Sequence, residues 1–225
     1  VTRAPLIFET GKIMNRVKKA GIVIVFAVLI AIAVRYNTSK ELTRYTSTFL
    51  KVFDTKTEIV GYGTSEAAFT EQVECLKEKL LYYHELYDIY HNYDGVNNIK
   101  TVNDNAGIGP VAVDPEIIGL LQFCVEMYDR TDGQVNIAMG SVLRVWHDYR
   151  EEGNGDPSSA RLPGEDELKK AAEHTDIGGL VIDEAASTVY LSDPLMSLDV
   201  GSIGKGYALQ RVAEYAKELG MEHLL

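Results

Sequence analysis

The stretch from Met196 to Leu219 combines a carboxylate, a glycine-rich turn and a lysine at a spacing that suits an anionic ligand. An apolar run ends at Asp199, and glycines follow at positions 201, 204 and 206. Helical periodicity resumes at once and ends near Gly220, which predicts a strand, a turn and a helix in direct succession. Because the free N–H groups and the dipole of a helix start attract anions, and Lys205 adds a cation, the stretch favours a phosphate-bearing ligand.

The glycine spacing separates this turn from two familiar nucleotide-binding loops. The glycines follow the pattern G-x-x-G-x-G, whereas the dinucleotide fingerprint is G-x-G-x-x-G. A P-loop is excluded because Gly206 follows Lys205 at the position where Ser or Thr binds magnesium. Asp199 is suited to a sugar hydroxyl or to a metal ion. The alternative is a tight turn whose glycines only allow the helix and the strand to pack closely.

The first 40 residues differ from the rest of the chain. They carry seven Lys or Arg and one Glu, whereas the whole chain has a net charge of −11. So acidic a body argues against nucleic acid as a ligand. The apolar run from Ala20 to Val34 follows Lys18 and Lys19, which predicts a signal peptide or membrane anchor with the body on the extracytoplasmic side. A buried core helix is the alternative. We therefore divide the chain into a basic, apolar N-terminal segment, 1–40, and a domain, 41–225.

Periodicity and turn residues in the body predict a mixed α+β fold. The charged, glycine-rich stretch from Arg150 to Gly164 is predicted to be an exposed loop. The other predicted elements are a hairpin from Glu41 to Val60 that turns at Asp54-Thr55-Lys56, a helix from Thr64 or Ser65 to about Asp88, a helix that starts at Asp114-Pro115 and ends at Thr131, a helix from Glu165 to His174, and strands at Leu180–Ile182 and Thr188–Leu191.

The cysteines and histidines do not predict a metal site. Cys75 and Cys124 lie in predicted helices without a C-x-x-C motif, so they are two buried thiols or, in an exported protein, one disulfide. His84 and His91 are seven residues apart and have no third ligand nearby, so we interpret them as packing or surface residues. His147, together with Asp148 beside it, is interpreted as part of an ordinary surface turn.

Three segments resemble the signatures of one family, the FAD:protein FMN transferases of the ApbE type. The two long ones are TDGQVNIAMGSVLRVWHDYR and SLDVGSIGKGYA, which are similar to TDGxxDxxxGxLxxxW and DxGxIxKGYA. A weaker one is YDGVNNIKTVN, in which an aromatic residue is followed ten positions later by Asn. The resemblance extends from Thr46 to Leu225. It implies the mixed α/β flavin-transferase fold, with the glycine-rich strand–turn–helix at the ligand site.

The resemblance also implies a set of site residues. Ser202 matches the position that gives an oxygen ligand to the metal, which is expected to be Mg²⁺. The positions that match the family's FAD contacts are Tyr62, Tyr93, Gln134, Val135, Asn136, Asp199 and Lys205.

The chain departs from the family pattern in three ways. Asn136 stands where the family commonly has Asp, and Tyr62 stands where it commonly has Met. The family's catalytic His, in a His-x-x-Asp-Pro signature, and its Asp and Thr metal ligands are expected beyond Leu225. The chain is thus expected to be the N-terminal part of a longer flavin transferase domain, and residues 35–225 alone are predicted not to transfer FMN.

The function that the resemblance implies is transfer of FMN from FAD to a Thr or Ser hydroxyl of an acceptor protein, with release of AMP and dependence on Mg²⁺. The expected acceptor is a flavin subunit of a membrane redox enzyme, and the expected location is a bacterial cell membrane. Two alternatives stay open. One is hydrolysis of FAD to FMN and AMP, and the other is a membrane-anchored FAD-binding protein without turnover.

Overall fold

The computed structural model describes residues 21–22, 24–32, 42–221 and 223–224. From residue 42 onward it has the predicted α+β class, with two antiparallel sheets among helices. The strands are β1 (Thr43–Val52), β2 (Thr55–Gly63), β3 (Val111–Ala112), β4 (Leu180–Asp183) and β5 (Thr188–Leu191). The helices are α1 (Glu66–Tyr87), α2 (Ile99–Asp104), α3 (Pro115–Arg130), α4 (Gly140–Gly155), α5 (Glu165–Ala172) and α6 (Gly204–Glu218), with short 3₁₀ turns at Pro157–Ser159 and Ile177–Gly179.

The hairpin of β1 and β2 is confirmed, but its turn lies slightly earlier than predicted. Phe53 and Asp54 have φ angles of 50° and 52°, as both central residues of a type I′ hairpin turn require. The predicted turn, Asp54-Thr55-Lys56, is therefore wrong in part, because Thr55 and Lys56 already belong to β2. The earlier turn brings the Phe53 ring against His84, with 5.6 Å between ring centroids.

The core lies where α1, α3 and α6 meet the second sheet, whose strand order is β3-β5-β4. Two of the predicted helix starts are confirmed by their caps. Ser65 caps α1 by accepting a hydrogen bond from the Ala68 N–H, and Asp114 caps α3 with Pro115 as its first residue. The side chains with no exposed surface are mostly aliphatic: Ile99, Ile117, Leu120, Leu121, Ala138, Val189, Leu198 and Ala208.

Helix α4 extends into a stretch that the sequence predicted to be a loop. It continues to Gly155, whereas the sequence predicted a loop from Arg150. The segment after it folds back onto the helix: the Arg161 guanidinium pairs with Glu152 at 3.0 Å and covers the Tyr149 ring. These contacts offset the low helix propensity of the glycines in the last turn.

The apolar run that ends at Asp199 is not a strand, contrary to prediction. It forms a single parallel bridge, between Met139 and Ser197. The reason is that a side chain takes the place of a neighbouring strand: Asn103 donates to the Leu198 carbonyl at 3.0 Å and accepts from the Leu198 N–H at 2.7 Å. The backbone groups of Leu198 are therefore satisfied without a sheet.

The C-terminal end of α6 is the predicted glycine cap. Gly220 has a φ of 72°, and its N–H donates to the Lys217 carbonyl at 2.9 Å. Together with the bond from the Met221 N–H to the Ala216 carbonyl, this is a Schellman motif. It turns the chain back towards β2, where the Tyr62 N–H donates to the carbonyl of His223.

The predicted membrane segment, Ala20–Val34, is described only in part. Residues 21–22 and 24–32 are helical, and their large apolar side chains are more than half exposed. No helix in the described ranges combines enough length and apolarity to cross a membrane. The rest of the segment and the basic flank, with Lys18, Lys19 and Arg35, lie outside the described residues.

Both cysteines are free thiols, so the disulfide alternative is wrong. Cys124 is buried in α3, and burial raises its pKa to about 12. Cys75 is half-buried and lies 3.4 Å from the Tyr215 hydroxyl.

Candidate functional site

A cleft of about 590 Å³ opens between the N-terminus of α6 and the side of α4. The C-terminal end of α1 forms its floor. A smaller cavity of about 210 Å³ continues from it and shares Ile89, Tyr90, His147 and Asp199. The cleft is lined by Phe53, Asp54, His84, Tyr87, Asp88, Ile89, Tyr90, His91, His147, Arg150, Glu151, Asp199, Gly201 and Lys205.

The first wall is the glycine-rich turn after Asp199, which the sequence predicted to be a ligand site. The Asp199 N–H donates to the Ile137 carbonyl at 2.8 Å, which anchors the start of the turn to the segment before α4. The carboxylate then bends back, and its Oδ1 accepts from the Gly201 N–H at 2.8 Å. A Cβ on residue 201 would lie 3.0 Å from that same oxygen, so the close approach favours glycine.

The N-terminus of α6 offers unpaired backbone donors beside this turn. The N–H groups of Ile203 and Gly204 both donate to the Val200 carbonyl, at 3.0 and 2.7 Å. Those of Ser202 and Lys205 make no hydrogen bond to any residue that the structure describes. Such free N–H groups at a helix start are a favourable seat for a phosphate. Lys205 lines the cleft at the same end.

Ser202 alone does not make a metal site. It is exposed in the turn, and within residues 42–221 no group of three His, Cys, Asp or Glu side chains lies close enough to hold a metal ion. Magnesium prefers near-octahedral oxygen coordination. The described part of the chain therefore does not fit a complete magnesium site, and the role of Ser202 as a ligand stays a prediction.

The floor is organised by Asp88, which is buried although it carries a carboxylate. The carboxylate accepts from the N–H groups of Tyr90 and His91, at 2.6 and 3.1 Å, and from the Tyr93 hydroxyl at 2.8 Å; His91 Nδ1 lies 3.1 Å away. Burial by itself raises the pKa of Asp88, but these hydrogen bonds outweigh it and hold the pKa below its usual value.

Tyr93, a predicted flavin contact, does not line the cleft itself. It contacts two residues that do, because its hydroxyl donates to Asp88 and lies 3.4 Å from His84 Nε2. Burial and the Asp88 carboxylate raise the pKa of Tyr93. His84 in turn accepts from the Phe53 N–H at 3.2 Å, so its predicted packing role is confirmed, although it also lines the cleft.

The second wall, on α4, was missed by the sequence interpretation. His147 is part of a helix and not of a surface turn; it lines both cavities, and its ring stacks on Tyr90 with 5.0 Å between centroids. Arg150 Nη2 lies 2.8 Å from His147 Nδ1. The i, i+3 spacing of these two residues could have indicated that they meet on one helix face, but the sequence predicted a surface turn at His147 and a loop from Arg150.

The two walls are close enough to influence a shared neighbour. Burial raises the pKa of Tyr90, the nearby Asp199 carboxylate raises it further, and Arg150 opposes the shift. Charged groups on both walls of the cleft therefore act on the pKa of Tyr90. Lys205 and Arg150 are the cations among the lining residues, one on each wall.

The remaining predicted contacts lie away from the lining of this cleft. Tyr62 is 43% exposed on β2. Gln134 and Val135 precede Asn136, whose amide donates to the Thr175 carbonyl at 2.9 Å and accepts from the Ala138 N–H at 2.8 Å. Asn136 thus shapes the loop that leads into α4, and the role of all four residues as FAD contacts stays a prediction.

Comparison with known proteins points to one family. The family model described as "ApbE family" matches residues 51–225. An FAD:protein FMN transferase from Klebsiella pneumoniae (strain 342) is 28% identical over 129 residues, which are 57% of this chain and 39% of that protein. An FAD:protein FMN transferase from Treponema pallidum (strain Nichols) is 27% identical over 121 residues, 52% of this chain and 32% of that protein.

Solved structures have the same fold. The ApbE protein of Thermotoga maritima superposes with a TM-score of 0.65 at 23% identity, and the match covers 80% of this chain and 54% of that one. The matches span less than half of the two curated relatives. Because the family model covers most of the described body, this chain belongs to the ApbE family.

Proposed function

We propose that the protein transfers FMN from FAD to a Thr or Ser hydroxyl of an acceptor protein and releases AMP. The observation that carries the proposal is the cleft in which Asp199, Lys205 and the free N–H groups of α6 face an aromatic and cationic wall. A dinucleotide needs this combination, since it brings two phosphates, sugar hydroxyls and aromatic rings. Membership of the ApbE family supports the same activity.

Three lining residues, Lys205, Asp199 and Tyr90, have a role in holding this substrate. The diphosphate lies at the N-terminus of α6, where Lys205 and the free N–H groups offset the acidity of the body. Asp199 accepts a hydrogen bond from a ribose hydroxyl with the carboxylate oxygen that the turn leaves free; its other oxygen is taken by Gly201. The Tyr90 ring offers a flat apolar surface to an aromatic ring of FAD.

The transfer step breaks the phosphoanhydride bond of the FAD diphosphate and forms a phosphoester to the acceptor. The acceptor hydroxyl oxygen attacks the phosphorus on the riboflavin side, the bond from that phosphorus to the AMP oxygen breaks, and AMP leaves. The hydroxyl proton passes to a base. We assign that base to the part of the relatives that this chain does not span, because nothing links a lining residue here to that role.

Magnesium dependence belongs to this proposal, with Ser202 as one ligand. When bound, the ion would neutralise charge on the diphosphate as its phosphoanhydride bond breaks. The described residues do not complete the coordination of this ion. FAD is the substrate, and the residues that bind it do so by charge, hydrogen bonding and stacking.

We also propose that the N-terminal segment attaches the protein to a bacterial cell membrane, with the body on the extracytoplasmic side. The support is an apolar helix with no polar face: Ile22, Ile24, Phe26 and Ile30 are each 57% exposed or more. Such a surface favours lipid over water. A flavin subunit of a membrane redox enzyme would then be within reach as the acceptor.

The test is a flavinylation assay with the full-length protein. It is incubated with FAD and a candidate acceptor, with and without Mg²⁺; covalent flavin is read from the fluorescence of the denatured acceptor, and AMP by chromatography. Labelled acceptor together with AMP is the expected result. AMP without acceptor labelling, also in the absence of any acceptor, would indicate hydrolysis, and bound FAD without AMP would indicate a binding protein.

A further inference from the structure

The proposed FAD site explains the wall formed by α6, but it does not yet use the cation on the opposite wall. We infer that Arg150 binds the phosphate groups of the dinucleotide from the side of α4, and that His147 positions it for this role. The inference rests on the proposed function, because it concerns the ligand of the same cleft. It adds a second phosphate-binding side chain that faces Lys205 across the cleft.

The hydrogen bond between Arg150 and His147 has only one possible direction. A guanidinium has donors and no acceptor, so His147 Nδ1 must accept the bond from Arg150 Nη2 at 2.8 Å. In this arrangement the imidazole is neutral and carries its proton on Nε2. The ring is held in place by its stack on Tyr90, at an interplanar angle of 29°. His147 is therefore a fixed acceptor that aims a longer and more flexible side chain.

Arg150 has donors to spare for a ligand. Its Nε pairs with Glu151 at 3.2 Å and its Nη2 bonds His147, while a guanidinium offers five N–H donors in all. The side chain is 62% exposed, so the remaining donors are open to the cleft mouth.

The charges around the cleft explain why one cation would not be enough. Asp54, Glu151 and Asp199 are the lining carboxylates besides the fully hydrogen-bonded Asp88, so an anionic ligand meets repulsion unless cations flank it. Lys205 supplies a cation on one wall and Arg150 on the other. We expect Lys205 and Arg150 to bind phosphate groups and to contribute nothing specific to the binding of an uncharged flavin.

The experiment compares a charged and an uncharged ligand in the full-length protein. Dissociation constants for FAD and riboflavin are measured by isothermal titration calorimetry for wild type, Arg150→Gln and Arg130→Gln. Arg130 is the matched control, because it lies at the end of α3 and pairs with Glu126 away from the cleft lining. We expect Arg150→Gln to raise the dissociation constant for FAD by about tenfold and that for riboflavin by less than about twofold, as loss of a charge-assisted hydrogen bond predicts.

Two further variants test the positioning role of His147. His147→Phe keeps an aromatic ring against Tyr90 but removes the acceptor, and should raise the dissociation constant for FAD by about threefold. His147→Gln restores an acceptor oxygen and should recover most of the lost affinity. A purely structural role would make both variants equally weak, and circular dichroism melts check the fold of each.

The outcomes separate this inference from the proposed function. If wild type binds FAD and Arg150→Gln binds it equally well, or loses FAD and riboflavin affinity alike, Arg150 is not a phosphate ligand and the proposed function is untouched. If wild type binds no flavin at all, the proposed function and this inference fail together.

Discussion

The two walls of the cleft differ in how far apart in the chain their parts lie. The α6 wall comes from one short stretch, in which Asp199, Gly201 and Lys205 are placed by a single turn. The α4 wall pairs His147 with Tyr90, which are 57 positions apart in the printed numbering and belong to different elements. A local motif is therefore visible in sequence spacing, whereas a wall made by long-range contact becomes visible only when the helices are packed.

The walls meet at Gly140, and a substitution there should have the largest effect. A Cβ on residue 140 would lie 2.3 Å from the Ser197 carbonyl oxygen, so the first turn of α4 would be pushed off the segment that leads to Asp199. We expect Gly140→Val to lower the free energy of unfolding by at least about 3 kcal/mol, as measured by urea denaturation.

The control for this variant lies in the same helix. A Cβ on Gly155 meets nothing within 4 Å, so Gly155→Val should change the free energy of unfolding by less than about 1 kcal/mol. A Gly140→Val protein as stable as wild type would mean that the walls are not joined in this way.

The α6 wall has a second tether, the side chain of Asn103. Asn103→Ala removes the partners of both backbone groups of Leu198, which has no exposed surface. We expect a loss of about 2.5 kcal/mol in the free energy of unfolding, because buried polar groups left unpaired are costly. Asn92→Ala, which removes only exposed hydrogen bonds, is the control and should cost under about 0.5 kcal/mol. Equal effects of the two changes would contradict the tether.

The floor beneath both walls should be sensitive to pH through Asp88. Since the pKa of this carboxyl is lower in the folded than in the unfolded protein, ionised Asp88 stabilises the fold at neutral pH, and the contribution is lost as pH falls below about 4. Asp88→Asn should therefore lower the free energy of unfolding by about 2 kcal/mol at pH 7.

The stability of wild type and Asp88→Asn should converge in acid. Melting temperatures across this pH range, with the exposed Asp94→Asn as control, measure the convergence. A constant difference between wild type and Asp88→Asn down to pH 3 would show that the charge of Asp88 is not what stabilises the floor.

The smallest effects are expected from substitutions of the two side chains of the α6 wall that are proposed to contact the ligand. Lys205→Ala should raise the dissociation constant for FAD by about fivefold and that for riboflavin much less, because the proposed partner of Lys205 is phosphate. Asp199→Ala should raise the dissociation constant for FAD by more than about twofold. Calorimetric titration of both ligands measures this, and an equal loss for FAD and riboflavin would mean that Lys205 acts through the fold instead.

Much of the fold was predictable because its signals are local. The caps at Ser65 and Asp114 and the terminating Gly220 depend on hydrogen bonds between residues within a few positions, so residue type and spacing identify them. The turn from Asp199 to Lys205 is of the same kind. Its glycines, the helix start and Lys205 lie within a few positions of one another, which is why the sequence predicted an anion site there.

The rest depended on contacts that spacing does not encode. The last turns of helix α4 are contacted by Arg161, which folds back onto Glu152 from beyond the helix. The predicted strand before Asp199 is absent because Asn103, 95 positions away, satisfies the backbone of Leu198. His147 was therefore assigned to a surface turn, although it forms half of a cleft wall. The sequence alone determined the helix caps and the glycine-rich turn before α6, because neighbouring residues make those contacts. Only the tertiary structure decided what faces that turn, because long-range packing brings those residues together.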